Sequence, residues 1–486
     1  MLNCHRVKKI NFKIIGFYFG LLVFFSILFL PQPPGLTFNG QVTLAVFLLM
    51  GIWWATEALP LPITSLLPLI LFPIFSVEEI GVISKEFMNK VQFLFAGGFM
   101  IAIAMQKWNF HKRIALSILQ YTGIKARGIT AGFMITSALL SMWVMNTSTT
   151  IMLLPIGLSV VLAVTESLKK ISQKEKSNFQ IVILLGIAYS SSVGGIATPI
   201  GTAPNGYLIQ FIAEKGTDIG FFDWMLIGLP ITLVLIPFIW FLLTFVLYPI
   251  DFEVPKDTKK NLRNMLKELG KISYEEKVIG IVFLVTALLW ISRKVLIQIP
   301  IFSFLDDAVI AMLAGLSLFV LRSKNTSKSL LEWQDMEKQF PWGLLFLFGG
   351  GMALAYMVSS SGLASWLAGL IPTDTSVFMI LFSVVLMVVF LTELTSNLAT
   401  TMTFIPIVYS IGLNIGIDPL ILTIPLTIAA SCAFMLPVAT PPNSIVYASN
   451  KIPISEMVKT GIWLNIFSIF LVFVLVYNLV PIVFGS

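Results

Sequence analysis

Two short polar clusters sit inside long apolar runs of this chain. The first is Ser141-Met142-Trp143-Val144-Met145-Asn146-Thr147-Ser148-Thr149-Thr150, followed by Pro155. The second is Thr392-Glu393-Leu394-Thr395-Ser396-Asn397-Leu398-Ala399-Thr400-Thr401, followed by Pro406. Asn146 aligns with Asn397, Thr150 with Thr401 and Pro155 with Pro406, all at an offset of 251 residues. Asn offers both a donor and an acceptor, and Ser and Thr hydroxyls serve as either. A helix interrupted at such residues presents amides whose dipole favours an anion, while freed carbonyls and the Asn oxygen suit Na⁺. A lone Asn or Thr in a membrane helix is more often an interhelical hydrogen bond. Polar groups in hydrocarbon need partners, and a duplicated cluster points to a substrate site between two halves of a transporter.

Two more elements repeat in step. Phe93-Leu94-Phe95-Ala96-Gly97-Gly98-Phe99-Met100 matches Leu345-Phe346-Leu347-Phe348-Gly349-Gly350-Gly351-Met352 at an offset of 252. Close backbone approach favours Gly, so both clusters read as re-entrant helical hairpins; the alternative is a pair of ordinary spans with packing glycines. Gly194-Gly195-Ile196-Ala197-Thr198-Pro199-Ile200-Gly201-Thr202-Ala203-Pro204-Asn205 shares Thr-x-Pro-Asn with Pro437-Val438-Ala439-Thr440-Pro441-Pro442-Asn443, at an offset of 238. Three repeated elements in one order imply an internal duplication over most of 41–450. The repeat itself does not give the relative orientation of the halves.

No Lys, Arg or His occurs between Gly128 and Leu168, between Ser177 and Glu214, or from Gln339 to Asn450. Every repeated motif except the first glycine cluster lies in these windows. A buried polyanion without cationic side chains is unfavourable, and bound cations supply the missing charge. This favours a cation-coupled anion carrier, unless a distant residue such as Lys107 or Lys451 folds in. The competing reading is a neutral solute, with the polar motifs serving helix packing. With two histidines (His5, His111), two cysteines (Cys4, Cys432) and no paired carboxylates near the motifs, there is little material for catalysis, a disulfide framework or a metal centre.

The elements that must position these residues are apolar helices. Of 486 residues 57% are hydrophobic and 11% charged, and the mean hydropathy is +0.93, which is the composition of a polytopic membrane protein. Spans are expected near 14–30, 41–59, 61–77, 128–145, 149–165, 179–200, 224–250, 278–298, 306–321, 375–394, 398–415, 419–438 and 458–483. The basic segment Met1 to Lys13 precedes an apolar run without a small-residue cleavage site before Pro31, which favours an uncleaved first span over a signal peptide. The net charge of +7 sits in short loops, as beside anionic lipid, and does not suggest nucleic acid. Basic clusters at 6–13, 107–127, 169–176, 256–277 and 322–338 cannot all be cytoplasmic if 128–165 is a single broken span. As one helix that segment would be roughly 57 Å long; two crossings and one long interrupted helix both stay open. Residues 256–271 read as an amphipathic surface helix, a linker between the halves, or both. Glu57 and Glu393 are acidic residues near apolar spans, functional by default unless interfacial or bonded to backbone; Asp306 and Asp307 mark a loop end. The expected division is 1–40, N-terminal segment and first span; 41–250, first repeat; 251–277, linker; 278–450, second repeat; 451–486, C-terminal span.

The pattern resembles the divalent-anion:sodium symporter family, over nearly the whole chain. The resemblance rests on Trp54-Ala55-Thr56-Glu57-Ala58-Leu59-Pro60, both Asn motifs, the Gly-Gly-x-x-Thr-x-x-Gly-Thr-x-Pro-Asn run and Leu436-Pro437-Val438-Ala439-Thr440-Pro441-Pro442-Asn443. It implies an all-α polytopic protein of the cell membrane, a homodimer with about eleven spans per subunit plus two re-entrant hairpins, inverted repeats, and a transport domain moving elevator-fashion against a scaffold. It implies sodium-coupled symport of C4-dicarboxylates such as succinate, malate or fumarate, with no enzymatic activity and no cofactor beyond Na⁺. Relatives that exchange dicarboxylates without sodium, or carry citrate or sulfate, are the alternatives. The residues carried over are Asn146, Thr147, Ser396, Asn397, Thr440 and Pro441 for substrate. One sodium site comprises Ser141, Met145, Asn146 and Gly195; the other comprises Thr392, Thr395, Asn397 and Ala439. Two positions depart from the pattern: Met145 stands where Ser begins the first motif, and Leu398 where Thr is often found.

Overall fold

The computed structural model describes residues 12–485 apart from 168–170, 325, 371 and 373–374. The basic N-terminal cluster falls mostly on Met1–Asn11, outside the described residues. The described residues are helical and loop, with two isolated β-bridges, Lys125–Glu253 and Arg322–Ser329. Nine of their helices are long and apolar enough to cross a membrane. The chain forms two compact units, each drawn from both sequence halves: residues 1–88, 342–374 and 402–416, and residues 89–341, 375–401 and 417–486.

In the first unit, helix Phe12–Phe29 lies along Phe38–Thr56, with Phe17 stacked on Trp53 at 5.1 Å. Glu57 ends the second of these helices in the left-handed region, φ 47°, and its exposed carboxylate meets Lys13 at 3.0 Å. That is interfacial placement. The span expected at 61–77 is instead two short helices, Leu61–Thr64 and Pro68–Ile74. Pro62, Pro68 and Pro73 remove the amide donors a continuous helix needs.

The glycine clusters do not break their helices, which corrects the hairpin reading. Lys90–Lys107 and Trp342–Ser360 run straight through them. A Cβ at Gly97 would lie 2.3 Å from the Ala311 backbone, and one at Gly350 2.1 Å from the Ser65 carbonyl oxygen. These are packing glycines. The chain turns back at the Asn motif: Ala126–Ser141 and Asn146–Ser167 pack as a pair around residues 142–145.

That hairpin settles the direction of the second unit. Residues 107–127, 171–176, 256–277 and the described part of 322–338 gather at one end. Ala126 N donates to Phe252 O at 2.9 Å, Arg113 pairs with Glu276 at 2.7 Å, Lys107 with Asp335 at 2.6 Å, and Lys176 reaches Thr165 O at 2.7 Å. By the positive-inside rule this end is cytoplasmic. Helix Lys256–Glu268 lies here against Phe110–Gln120. At the opposite end the cations are matched by carboxylates: Lys90 meets Asp218 at 3.0 Å, and Arg293 meets Asp218 at 2.7 Å. Burial alone would raise the Asp218 pKa, but hydrogen bonds from Arg293 and Lys90 hold it below the ordinary carboxylate value. Helix Gln173–Ile196 starts at the cytoplasmic end, and its continuation Ala203–Glu214 finishes opposite, where Asn89 binds Glu214 at 2.8 Å. Leu420–Ala430 and Pro441–Ala448 run the other way, finishing where Gln180 donates to Lys451 O at 2.6 Å. The two repeats are inverted.

Candidate functional site

In the first copy, helix Ala126–Ser141 ends and the next helix begins at Asn146. The Ser141 hydroxyl hydrogen-bonds the Asn146 amide and lies 3.3 Å from the Ser191 hydroxyl, which donates to Asn146 O at 2.9 Å. The Met145 carbonyl accepts from Thr149 N at 3.0 Å, which leaves a second lone pair. Facing this turn, Gln173–Ile196 stops at the Gly-Gly pair and the chain resumes helix at Ala203. Asn205 Nδ2 spans the break, donating to the carbonyls of Gly195 at 3.1 Å and Thr198 at 2.8 Å. Gly195 has no room for a side chain: its Cβ would lie 2.8 Å from Asn146 Oδ1 and 2.9 Å from Gly201 O.

The Asn146 amide has two orientations. With nitrogen inward it donates to Gly201 O at 3.2 Å and Ser191 O at 3.3 Å. With oxygen inward it joins those carbonyls and the Ser141 hydroxyl in a cluster of oxygens, the donor set a hard cation takes.

The second copy repeats much of this arrangement. Thr392 Oγ1 lies within hydrogen-bond distance of both Asn397 Oδ1 at 2.8 Å and Ala430 O at 2.9 Å. Thr401 Oγ1 donates to Asn397 O at 2.8 Å, as Thr150 Oγ1 does to Asn146 O at 2.9 Å. The Ser396 carbonyl accepts from Thr400 N at 2.9 Å, in the place of Met145. Asn443 Nδ2 spans the second break to Leu436 O at 3.1 Å and Ala433 O at 3.4 Å. Ala439 N donates to Leu436 O at 3.3 Å, as Gly201 N does to Thr198 O at 3.3 Å. Thr440 caps helix Pro441–Ala448, accepting from Asn443 N at 3.3 Å. Thr395 is turned to Thr400, hydroxyl to hydroxyl at 2.6 Å. Thr147 and Ser396 are half-buried, whereas Leu398 is buried at 5% exposure.

Both copies meet in one place. Pro441–Ala448 packs against Asn146–Ser167 and Gln173–Ile196, and Ala203–Glu214 packs against Leu420–Ala430. Lys107 does not fold in; it is held in its cytoplasmic ion pairs. One participant went unnoticed in sequence, and one that the sequence singled out finds its partners. The 238-residue offset pairs Ala439 with Gly201, not with Gly195, so Gly201 belongs beside Asn146. Glu393, 3% exposed, is bonded to backbone: it accepts from the amides of Phe434 at 2.7 Å, Met435 at 2.9 Å and Leu436 at 3.0 Å, and from Asn465 Nδ2 at 2.7 Å. No local pattern announces a brace that reaches forty residues along the chain.

Residues 12–484 match the family model described as the sodium:sulfate symporter transmembrane region. The sodium-dependent dicarboxylate transporter SdcS of Staphylococcus saprophyticus is 40% identical over 480 residues, 97% of this chain and 92% of that protein. The protein of the same name from Staphylococcus aureus strain bovine RF122 is 38% identical over 481 residues, again 97% and 92%. The crystal structure of the Alcanivorax borkumensis YdaH transporter covers 98% of this chain and 99% of its own, with TM-score 0.54 and 13% identity, which speaks to the fold. The inverted helical repeats, the paired broken helices and these matches place the chain in the sodium:sulfate symporter family of multi-pass membrane transporters.

Proposed function

We propose that this protein is a sodium-coupled symporter of C4-dicarboxylates in the cell membrane. The observation that carries the reading is the matched pair Ser141–Asn146 and Thr392–Asn397, each beside a broken helix, in surroundings whose sequence has no cationic side chain. Substrate carboxylates lie at the helix starts marked by Asn146, Thr147, Ser396, Asn397, Thr440 and Pro441, where amides and the helix dipole favour negative charge. One Na⁺ is held by Ser141, Met145, Asn146 and Gly195, with Gly201 as the symmetry-related addition. The other is held by Thr392, Thr395, Asn397 and Ala439. Met145 contributes only its carbonyl. Because each Asn belongs to both a cation set and the substrate set, an ion bound at one side lowers the electrostatic cost of the anion at the other, which couples the two. The dicarboxylate preference is supported by the names of the Staphylococcus relatives. The homodimer and the elevator-type movement belong to the same proposal.

Counterflow of labelled succinate in proteoliposomes tests this. Succinate, malate and fumarate should compete, citrate and sulfate weakly, and exchange should require Na⁺. Preferential competition by sulfate or citrate would overturn the substrate assignment. The missing hydroxyl at Met145 favours one second reading, sodium-independent dicarboxylate exchange, which undiminished counterflow in choline would establish.

A further inference from the structure

The two copies differ at the residue two places beyond Ser141 and Thr392. It is Trp143 in the first turn and Leu394 in the second. The facing breaks differ likewise, with Ile200 against Val438. Trp143 and Ile200 pack on a buried cluster that includes Leu94, Phe221, Trp290 and Ala311. The Trp143 ring is parallel to Phe221 at 6.0 Å and to Trp290 at 6.4 Å, and meets Phe283 edge-on at 4.9 Å. Leu394 and Val438 are 65% and 71% exposed.

The aromatic cluster lies on the side of the first turn away from the cytoplasm. Trp290 Nε1 donates to Asp307 O at 3.0 Å and Phe221 N to Asp307 Oδ2 at 2.8 Å. Asp307 in turn meets Arg293 at 3.3 Å, within the ion pairs of the outer end. Lys294 adds a contact to Asp223 at 2.6 Å, two residues from Phe221. A cavity lined by Lys90, Asp218, Arg293 and Asp307 also touches Pro199, the neighbour of Ile200. An ionic layer and an aromatic layer therefore stand in series between the outer surface and the first break, whereas Leu394 in the second turn is exposed.

We propose that Trp143 is the residue that closes the outer access to the site in this conformation. The inference rests on the carrier reading, because a coupled carrier must not open to both sides at once. Trp143 acts through stacking on Phe221 and Trp290.

The test reads accessibility, not transport. In full-length protein carrying Cys4→Ser, an Ile200→Cys reporter is labelled in oriented vesicles with a membrane-impermeant thiol reagent, and a Leu394→Cys reporter serves as the open control; Cys432 is fully buried. Leu394→Cys should react readily and Ile200→Cys should not. Adding Trp143→Ala should raise Ile200→Cys labelling from outside about tenfold, the scale of losing stacked aromatic partners. Labelling from the cytoplasmic side should not change. Trp143→Phe should restore protection, and Trp290→Ala should mimic Trp143→Ala from the other side of the stack if the latter folds poorly. Ile200→Cys labelling unaffected by both alanine variants, or equal to Leu394→Cys in their absence, would overturn the proposal. Failure of dicarboxylate counterflow with these labelling changes intact would instead overturn the substrate assignment alone.

Discussion

The two copies of the site hold the same polar geometry by different means. In the first, Thr198 within the break is tied back to the turn by a neutral hydrogen bond, Oγ1 to Met142 O at 2.5 Å. In the second, residue 393 stands where 142 stands, and its carboxylate gathers three successive amides and one side-chain amide. The first copy starts its helix after Met145, the second after Ser396. The first needs Gly195 against Asn146, while the second accommodates Ala433. Duplication preserved the Asn amides, the helix-starting carbonyls and the spanning Asn205 and Asn443, and let the supports diverge. What is shared between the copies therefore marks the function, and what differs marks how each break is stabilised.

The largest expected effects break what the copies share. Asn146→Ala and Asn397→Ala should each lower succinate uptake about a hundredfold or more, as expected for losing several hydrogen bonds to charged groups at roughly 1.5–3 kcal/mol each. Both should keep a monodisperse folded protein by size exclusion. Normal uptake by either would sink the equivalence of the copies. Next come the unequal supports. Glu393→Gln should lower stability by about 2–3 kcal/mol, and Thr198→Val by about 1 kcal/mol, because bonds to a charged acceptor are the stronger kind. Thermal unfolding in detergent reads the difference, and equal shifts would contradict it. Gly195→Ala should then raise the Na⁺ concentration for half-maximal uptake about tenfold through overpacking against Asn146. Ala433→Gly should leave that value unmoved and lower stability by at most roughly 1 kcal/mol. The smallest effect is a repair. Met145→Ser places a capping residue type before the first helix, where the second copy has Ser396, a gain of about 1 kcal/mol in unfolding experiments, with sodium coupling retained.

The repeats, the helical class and the Asn motifs were legible because a polar cluster in an apolar run stands out, and a second copy at a constant offset makes it specific. The place where the chain turns back was not. Gly97 and Gly350 fit a hairpin or a tight helix crossing equally well, and only their neighbours, Ala311 and the Ser65 carbonyl, decide between them. Membrane sidedness was hidden for the same reason. Once 126–167 is a hairpin, the four basic clusters beyond the N-terminal segment fall at one end without conflict. The partners of Glu393 and Trp143 lay beyond local reading: Phe434 to Leu436 in one case and Phe221, Phe283 and Trp290 in the other. Gly201 was within reach: the same offset that found Asn443 pairs it with Ala439.

The proposal that one site made from two copies binds a cation in each copy beside a shared dianion is tested most directly by the sodium dependence of succinate uptake into proteoliposomes. Initial rates should rise with external Na⁺ more steeply than first order, and accumulation should vanish when choline replaces Na⁺. Equal accumulation in choline, with no dependence on the sodium gradient, would contradict it.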